Sequence, residues 1–316
     1  MDFIATVLPR LALGLIISLL IGWVAYRRGS LSRSGVLGAV ITGTTIFGFG
    51  GWIVGILLVA FFVSSSLLSH FKQNNTQKQR AAEMFDKSGQ RDIWQALANG
   101  GAAMIFVIIG QHQSVHYRYE LAGSVTCAAF GALATVNADT WATELGILSK
   151  SRPRLITRPF HTVEPGTSGA VSIVGILAAF AGALFIAVVF VVLRATFDGP
   201  HLFLNRDSLD ITPIYWVGWA TFPRVAVARL ISVTTGGLIG SLFDSFLGAT
   251  KQATYYSNQR QKETEKAFEK DKTPNKHIRG WKWLSNDWVN FISSVVGALV
   301  ASLIFYLIFV IFRLLG

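Results

Sequence analysis

The chain reads as long apolar stretches separated by short polar segments. Three uncharged stretches stand out: Ile93 to Tyr117, Ser168 to Leu193 and Trp288 to Phe312. Each exceeds the roughly 20 apolar residues that a helix needs to cross a bilayer. A fourth, Ser34 to Phe71, runs 38 residues. As one helix it would measure about 57 Å against a hydrocarbon core of about 30 Å, so it reads as two spans. Gly48-Phe49-Gly50-Gly51 is the expected turn between them. Leu11 to Tyr26 and Leu121 to Ala138 are shorter spans, and Leu230 to Thr250 is interrupted only by Asp244. Ile214 to Phe222 is apolar but short, and reads as interfacial or as a lengthening of the next span. The pattern predicts an all-α, polytopic membrane helix bundle of about eight spans, a single integral membrane domain over 1–316.

Composition agrees with that pattern. Hydrophobic residues make up 52% and charged residues 14%, with mean hydropathy +0.48. A soluble surface takes about 25% charged residues, so an ordinary soluble enzyme, a disordered chain and a fibrous protein are excluded. In a soluble protein the net charge of +11 would suggest a nucleic-acid partner. Here the charge is localised instead. Segments 27–33, 70–92, 150–158 and 251–282 hold 21 of the 28 Lys and Arg residues, whereas 111–120 and 194–213 are poor in them. With eight spans every basic loop falls on one side and both termini on the other. The positive-inside rule makes the basic side cytoplasmic, and no nucleic acid is expected as a partner. The first span is followed by Arg27-Arg28 and has no small-residue cleavage site, so it reads as a retained helix. The single cysteine, Cys127, excludes a disulfide or CxxC site within the chain. The charged loop 251–287 reads as a solvated helix in its first half, with Trp281, Trp283 and Trp288 as interfacial anchors.

The halves 1–117 and 118–316 resemble each other. Ser34-Gly35 corresponds to Ser168-Gly169, and Ser65 to Ser69 with Lys72-Gln73 corresponds to Asp244 to Gly248 with Lys251-Gln252. Asn99 and Asn290 follow at matching places. Two parallel four-span repeats are the expectation.

Carboxylates inside a membrane cost roughly 2.5–3.5 kcal/mol on insertion scales and usually mark a site. Three lie toward the basic ends of their spans: Asp139, Glu144 and Asp244. On a helix, Asn137, Thr140 and Glu144 share a face, whereas Asp139 and Glu144 stand about 140° apart. The two could then bind one ion only if the helix breaks; otherwise each has its own partner. Gly237, Gly240, Ser241, Asp244 and Gly248 form a small-residue stripe that admits another backbone beside a carboxylate. Asp287, Asn290, Ser294, Gly297 and Ala301 form a similar one. Hard oxygens from Asp, Glu and Asn suit Mg²⁺, with substrate phosphates completing its shell. Pro165-Gly166-Thr167-Ser168-Gly169 precedes a long apolar helix, and glycine amides at a helix start make an anion site. Arg152, Arg154 and Arg158 lie just upstream, and Arg91 lies just before Asn99.

These residues carry a resemblance. The series NADTWATELG, PRLIT, PGTSG, GSLFDSFLGA and NDWVNF, with SRSGVLGA, SSSLLS and GQRDIWQALANGG before it, resembles the transmembrane protein 19 family over roughly residues 30 to 312. That family includes the phytyl-phosphate kinase of tocopherol synthesis. Members usually carry G-T-S-G-G at the glycine turn, where this chain has Ala170. The resemblance implies a membrane-embedded kinase that moves a phosphoryl group from CTP or ATP to an isoprenoid monophosphate. On that reading Asp139, Glu144 and Asp244 hold Mg²⁺. Gly166 to Gly169, Arg91, Arg152, Arg154 and Arg158 hold phosphates, and Asn99 and Asn290 orient ligand or metal. Phosphoryl transfer needs just such cations and amides, with little covalent chemistry from protein. A multi-pass transporter or flippase, and a non-catalytic membrane scaffold, are the competing readings of the same residues.

Overall fold

The computed structural model describes residues 3–71, 75–82, 84–85, 89–116, 119–197, 222–269 and 271–315. The apolar segment expected at 214–222 lies, but for Phe222, outside them. The helices are α1 (Phe3–Arg27), α2 (Arg33–His70), α3 (Thr76–Ala82), α4 (Ile93–His116), α5 (Tyr119–Gly146), α6 (Ile173–Phe197), α7 (Phe222–Thr250) and α8 (Asn286–Leu315). Six of them, α1, α2, α4, α6, α7 and α8, are long and apolar enough to cross a membrane.

The helix α2 is in fact two arms. Gly51, with φ 70° and ψ −173°, leaves the helical region and folds the chain back on itself. Only glycine takes that φ cheaply. The first arm runs antiparallel to α1, with Gly22 against Val36, Gly43 against Ser18 and Gly14 against Phe47. The second arm returns beside the first: Gly55 packs under the Phe47 ring, and Gly43, Leu58 and Val59 line one space. The expected turn at the glycine cluster is therefore present. Counting the arms separately and adding α5 gives eight membrane-length segments among the described residues.

The helix α5 is not among the six most apolar helices because it hardly meets lipid. Every residue from Cys127 to Ala138 is buried. Helices α4, α6, α7, α8 and the second arm of α2 all pack on it. Its alanines and glycines let neighbours approach closely. Gly131 faces Ala301 and the Gly297 carbonyl, Gly237 faces Ala134, and Gly236 meets the Gly297 carbonyl. The core between these helices is built from Phe130, Leu133, Ile186, Phe190 and Val233, with the Phe130 and Phe190 rings 4.0 Å apart. Asn137 is wholly buried and staples three helices. Its Nδ2 donates to the Gly182 carbonyl of α6 at 2.7 Å, and its Oδ1 accepts from Ser64 of α2 at 3.0 Å. Toward the end of the bundle away from the basic loops, Arg194 and Arg229 are buried, the latter 5.4 Å from the Phe190 ring centre. Arg194 belongs to α6, not to the loop expected from 194 onward.

The basic loops gather at one end. Leu31 bridges to Arg91, Glu265 N donates to the Met84 carbonyl, and Gly166 packs on Ala81. Two short antiparallel sheets form there. The first orders β1 (Arg154–Leu155) between β2 (Arg158–Thr162) and β3 (Ala170–Val171). The second orders β4 (Thr254–Ser257) between β5 (Lys262–Thr264) and β6 (Lys276–Arg279). The expected helix in the first half of 251–287 is thus corrected to a sheet. Its Thr, Tyr and Ile residues favour strands, and its charges follow no helical period.

Candidate functional site

A cavity of about 870 Å³ is sunk into the basic end of the bundle. Each wall has a local cause. On α4, Asp92 and Gln95 form a reciprocal cap: Gln95 N donates to Asp92 Oδ1 at 2.9 Å and Asp92 N to Gln95 Oε1 at 3.1 Å. That cap fixes Arg91 at the rim and Asn99 two turns inside. Arg91 is held further by backbone bonds to Ser30 and Ser32. Its guanidinium lies 6.0 and 5.7 Å from the Phe61 and Phe62 ring centres. Burial pulls the Arg91 guanidinium below its ordinary value, and the Glu144 carboxylate opposes that shift.

From α5 come Asp139 and Glu144, from α7 Ser241 and Asp244, and from α8 Asp287 and Asn290. The two asparagines meet, Asn290 Nδ2 donating to Asn99 Oδ1 at 3.5 Å. Asp139 and Asp244 stand close enough for their charges to repel. Among the described residues, Asp244 Oδ2 is a buried oxygen with no hydrogen-bond partner. Glu144 is differently placed. Helix α5 does not break, so Glu144 points away from Asp139 and takes its own partners. Its Oε2 pairs with Lys78 of α3 at 2.6 Å and its Oε1 accepts from Ser69 at 2.7 Å.

The Pro165–Gly169 turn also lines the cavity. The expectation that it sits at a helix N-terminus is corrected: α6 starts at Ile173, with Ser172 Oγ accepting from Gly175 N at 3.0 Å as its cap. Ser168-Gly169 therefore lies in a turn, whereas its counterpart Ser34-Gly35 lies in the first turn of α2. The turn is built by Gly166 and Gly169, with φ 93° and 78°. Gly169 lies against the Ala249 backbone, where a Cβ has no room. Ser168 Oγ donates to Gln252 at 2.8 Å, and Gln252 Nε2 donates to Glu265 at 2.8 Å. Arg152, Arg154 and Arg158 are not brought to the cavity. They are exposed on and before the strands β1 and β2, and Arg154 donates to the Pro159 carbonyl at 3.0 Å.

Sequence reasoning missed Lys78, Gln252, Glu265 and Asp287. Lys78 lay unmarked in a charged loop. Gln252 was noted as part of the repeat, and Asp287 as part of a small-residue stripe, neither as a cavity residue.

The donor set fits a hard cation. Asp139 and Asp244 supply carboxylates, an Asp244 oxygen lacks a hydrogen-bond partner, and Asn99 and Asn290 line the same cavity. Mg²⁺ is usually held by one or two carboxylates with waters and phosphates. Among the described residues, no three His, Cys, Asp or Glu side chains cluster tightly enough to hold a metal unaided. A cation here would take its remaining ligands from amide, water or phosphate oxygens.

Comparison with known proteins gives these residues a lineage. Protein PGR of Arabidopsis thaliana is 32% identical over 301 residues, covering 93% of this chain and 96% of the relative. An uncharacterized membrane protein of Methanocaldococcus jannaschii is 28% identical over 298 residues, covering 94% and 95%. Protein VTE6, chloroplastic, of Arabidopsis thaliana is 26% identical over 278 residues, covering 86% of this chain and 65% of the relative. No solved structure matches. The model of the integral membrane protein family DUF92 matches residues 16–298, and the chain belongs to that family.

Proposed function

We propose that the cavity transfers a phosphoryl group from a nucleoside triphosphate, CTP or ATP, to an isoprenoid monophosphate in the membrane, giving the diphosphate. The observation that carries this reading is the cavity itself. It joins two intramembrane carboxylates, two asparagines, a half-buried arginine and a glycine turn in one chamber of about 870 Å³. That volume is within the range of small-molecule sites, which is roughly 300–1,000 Å³. The acceptor, a phosphate monoester, is already ionised at neutral pH and needs no strong general base. Asp139 and Asp244 would hold Mg²⁺, with Asn99 and Asn290 fixing their approach. Bound Mg²⁺ supplies charge neutralisation on the phosphate oxygens. Arg91 and the amides of Gly166 and Gly169 would bind phosphate oxygens and align acceptor with donor. The resemblance to a family that includes phytyl-phosphate kinase supports the isoprenoid acceptor. The positive-inside rule supports a cytoplasmic basic end, with both termini opposite.

Transport is the less favoured reading. The apolar core of Phe130, Leu133, Ile186 and Phe190 separates the cavity from the far end. The test is direct. Purified protein is incubated with Mg²⁺, a nucleotide panel and phytyl or geranylgeranyl phosphate, and the diphosphate is sought by mass spectrometry. Diphosphate from wild type and its loss in Asp139→Asn and Asp244→Asn is the expected result. No diphosphate with any nucleotide overturns the kinase reading. Unchanged activity in both variants overturns the site.

A further inference from the structure

A second cavity, of about 80 Å³, lies inside the membrane part of the bundle, between α1, the two arms of α2 and α4. Its walls are almost wholly apolar, with Ile21, Ala39, Phe47, Leu58 and Val59 among them. Arg91 and Asn99 line it as well, and the same two residues line the large polar cavity. An apolar slot and a polar chamber thus share a partition made of one cation and one carboxamide. A molecule that occupies both is an amphiphile, anionic at the head and hydrocarbon behind it.

The slot is narrow for a reason in the sequence. Gly43 brings α2 onto Ser18 of α1, and Gly100 brings α4 onto Thr42 of α2, so a Cβ at either would collide. These close approaches keep the slot at about 80 Å³, which admits the head-proximal start of one chain and not the paired acyl chains of a phospholipid. Arg91 has the right character for the partition. Its guanidinium lies near the Phe61 and Phe62 rings, which line the slot, and within the field of Glu144 in the chamber.

Resting on the kinase reading for the identity of the head group, we infer that the acceptor's hydrocarbon chain passes Arg91 and Asn99 into this slot. The slot selects single-chain isoprenoid phosphates over two-chain lipid phosphates. Ala39 and Leu58 set how much chain it accepts.

The test reads binding separately from turnover. The full chain in nanodiscs is irradiated with a geranylgeranyl phosphate analogue carrying a diazirine near the phosphate end of its tail, and adducts are mapped by mass spectrometry. Adducts are expected on α1 and both arms of α2, competed by geranylgeranyl phosphate and not by a diacyl phosphatidate. Ala39→Phe should reduce them at least about tenfold, since even two buried methylenes are worth that factor. Leu58→Ala, which widens the slot, should keep the adducts and weaken discrimination against the diacyl lipid. Adducts confined to the outer face of α6, or unaffected by both substitutions, overturn the slot, whatever the kinase assay gives. Competed slot adducts with no diphosphate from any nucleotide uphold the slot and remove the kinase reading.

Discussion

Lys78 offers the sharpest test of how the basic end is held together. Its Nζ donates to Glu144 Oε2 at 2.6 Å, to the Leu68 carbonyl at 2.9 Å and to the Phe71 carbonyl at 2.8 Å. It thereby ties the last turn of α2 to α5 through α3. The Lys78 side chain is 8% exposed and that of Glu144 is 21% exposed. In Lys78→Met the aliphatic stem stays and the charge goes, leaving Glu144 with the Ser69 hydrogen bond and the more distant Arg91 charge. Removing one partner of a buried pair costs about 3–5 kcal/mol. The partial exposure of Glu144 sets the expectation at the lower end, about 3 kcal/mol. At roughly 2–4 °C per kcal/mol for a chain of this size, apparent melting in detergent should fall by about 6–12 °C. Adding Glu144→Gln removes the stranded charge, so the double variant should melt above Lys78→Met. A melting point of Lys78→Met within about 2 °C of wild type would refute the reasoning. So would a double variant no more stable than the worse single one.

Other expectations follow from particular contacts. Asn137→Leu removes two interhelical bonds that join α2, α5 and α6. Such bonds average about 0.6 kcal/mol and reach about 1.7 in membranes, so a loss of roughly 1–3 kcal/mol should appear in urea or SDS unfolding. In the outer sheet, Glu269 lies below its ordinary value of 4.5, chiefly through the Ser257 hydroxyl and then through Asn275 and Arg260. A depressed carboxyl stabilises the folded sheet above its ordinary value, and the effect fades as pH falls through the lowered one. Protection factors of the amides in the sheet, taken relative to intrinsic exchange at each pH, should therefore be level above the ordinary value of 4.5 and fall as pH drops below it. Glu269→Gln should flatten that dependence.

Much of the fold was legible because lipid imposes a simple pattern. Apolar stretches of the right length located the spans, and Gly48 to Gly51 located the reversal in α2. Leu121 to Ala138 was legible as a span only because it is uncharged. Its low apolarity reflects a helix wrapped by other helices. The sheets escaped detection because each strand is two to five residues long and the loops alternate charge without a clear period. At the site, Asp139, Asp244, Asn99, Asn290 and the glycine turn were legible as costly or unusual residues within or beside membrane spans. Arg152, Arg154 and Arg158 were grouped with them by sequence proximity alone, and β1 and β2 carry them outward. Lys78 was hidden because a lysine in a basic loop looks solvated until α3 folds onto Glu144. The apolar slot left no trace in sequence, since it arises where three elements fail to fill space.

The central claim is that Asp139 and Asp244 make the basic-end cavity a metal–phosphate site. Mn²⁺ in place of Mg²⁺ makes this visible by electron paramagnetic resonance. With purified protein and nucleotide, a bound Mn²⁺ spectrum with phosphorus hyperfine coupling is expected, and Asp139→Asn/Asp244→Asn should abolish it while the fold is retained. A spectrum indistinguishable from Mn²⁺–nucleotide in buffer, or one unchanged in the double variant, would contradict the account.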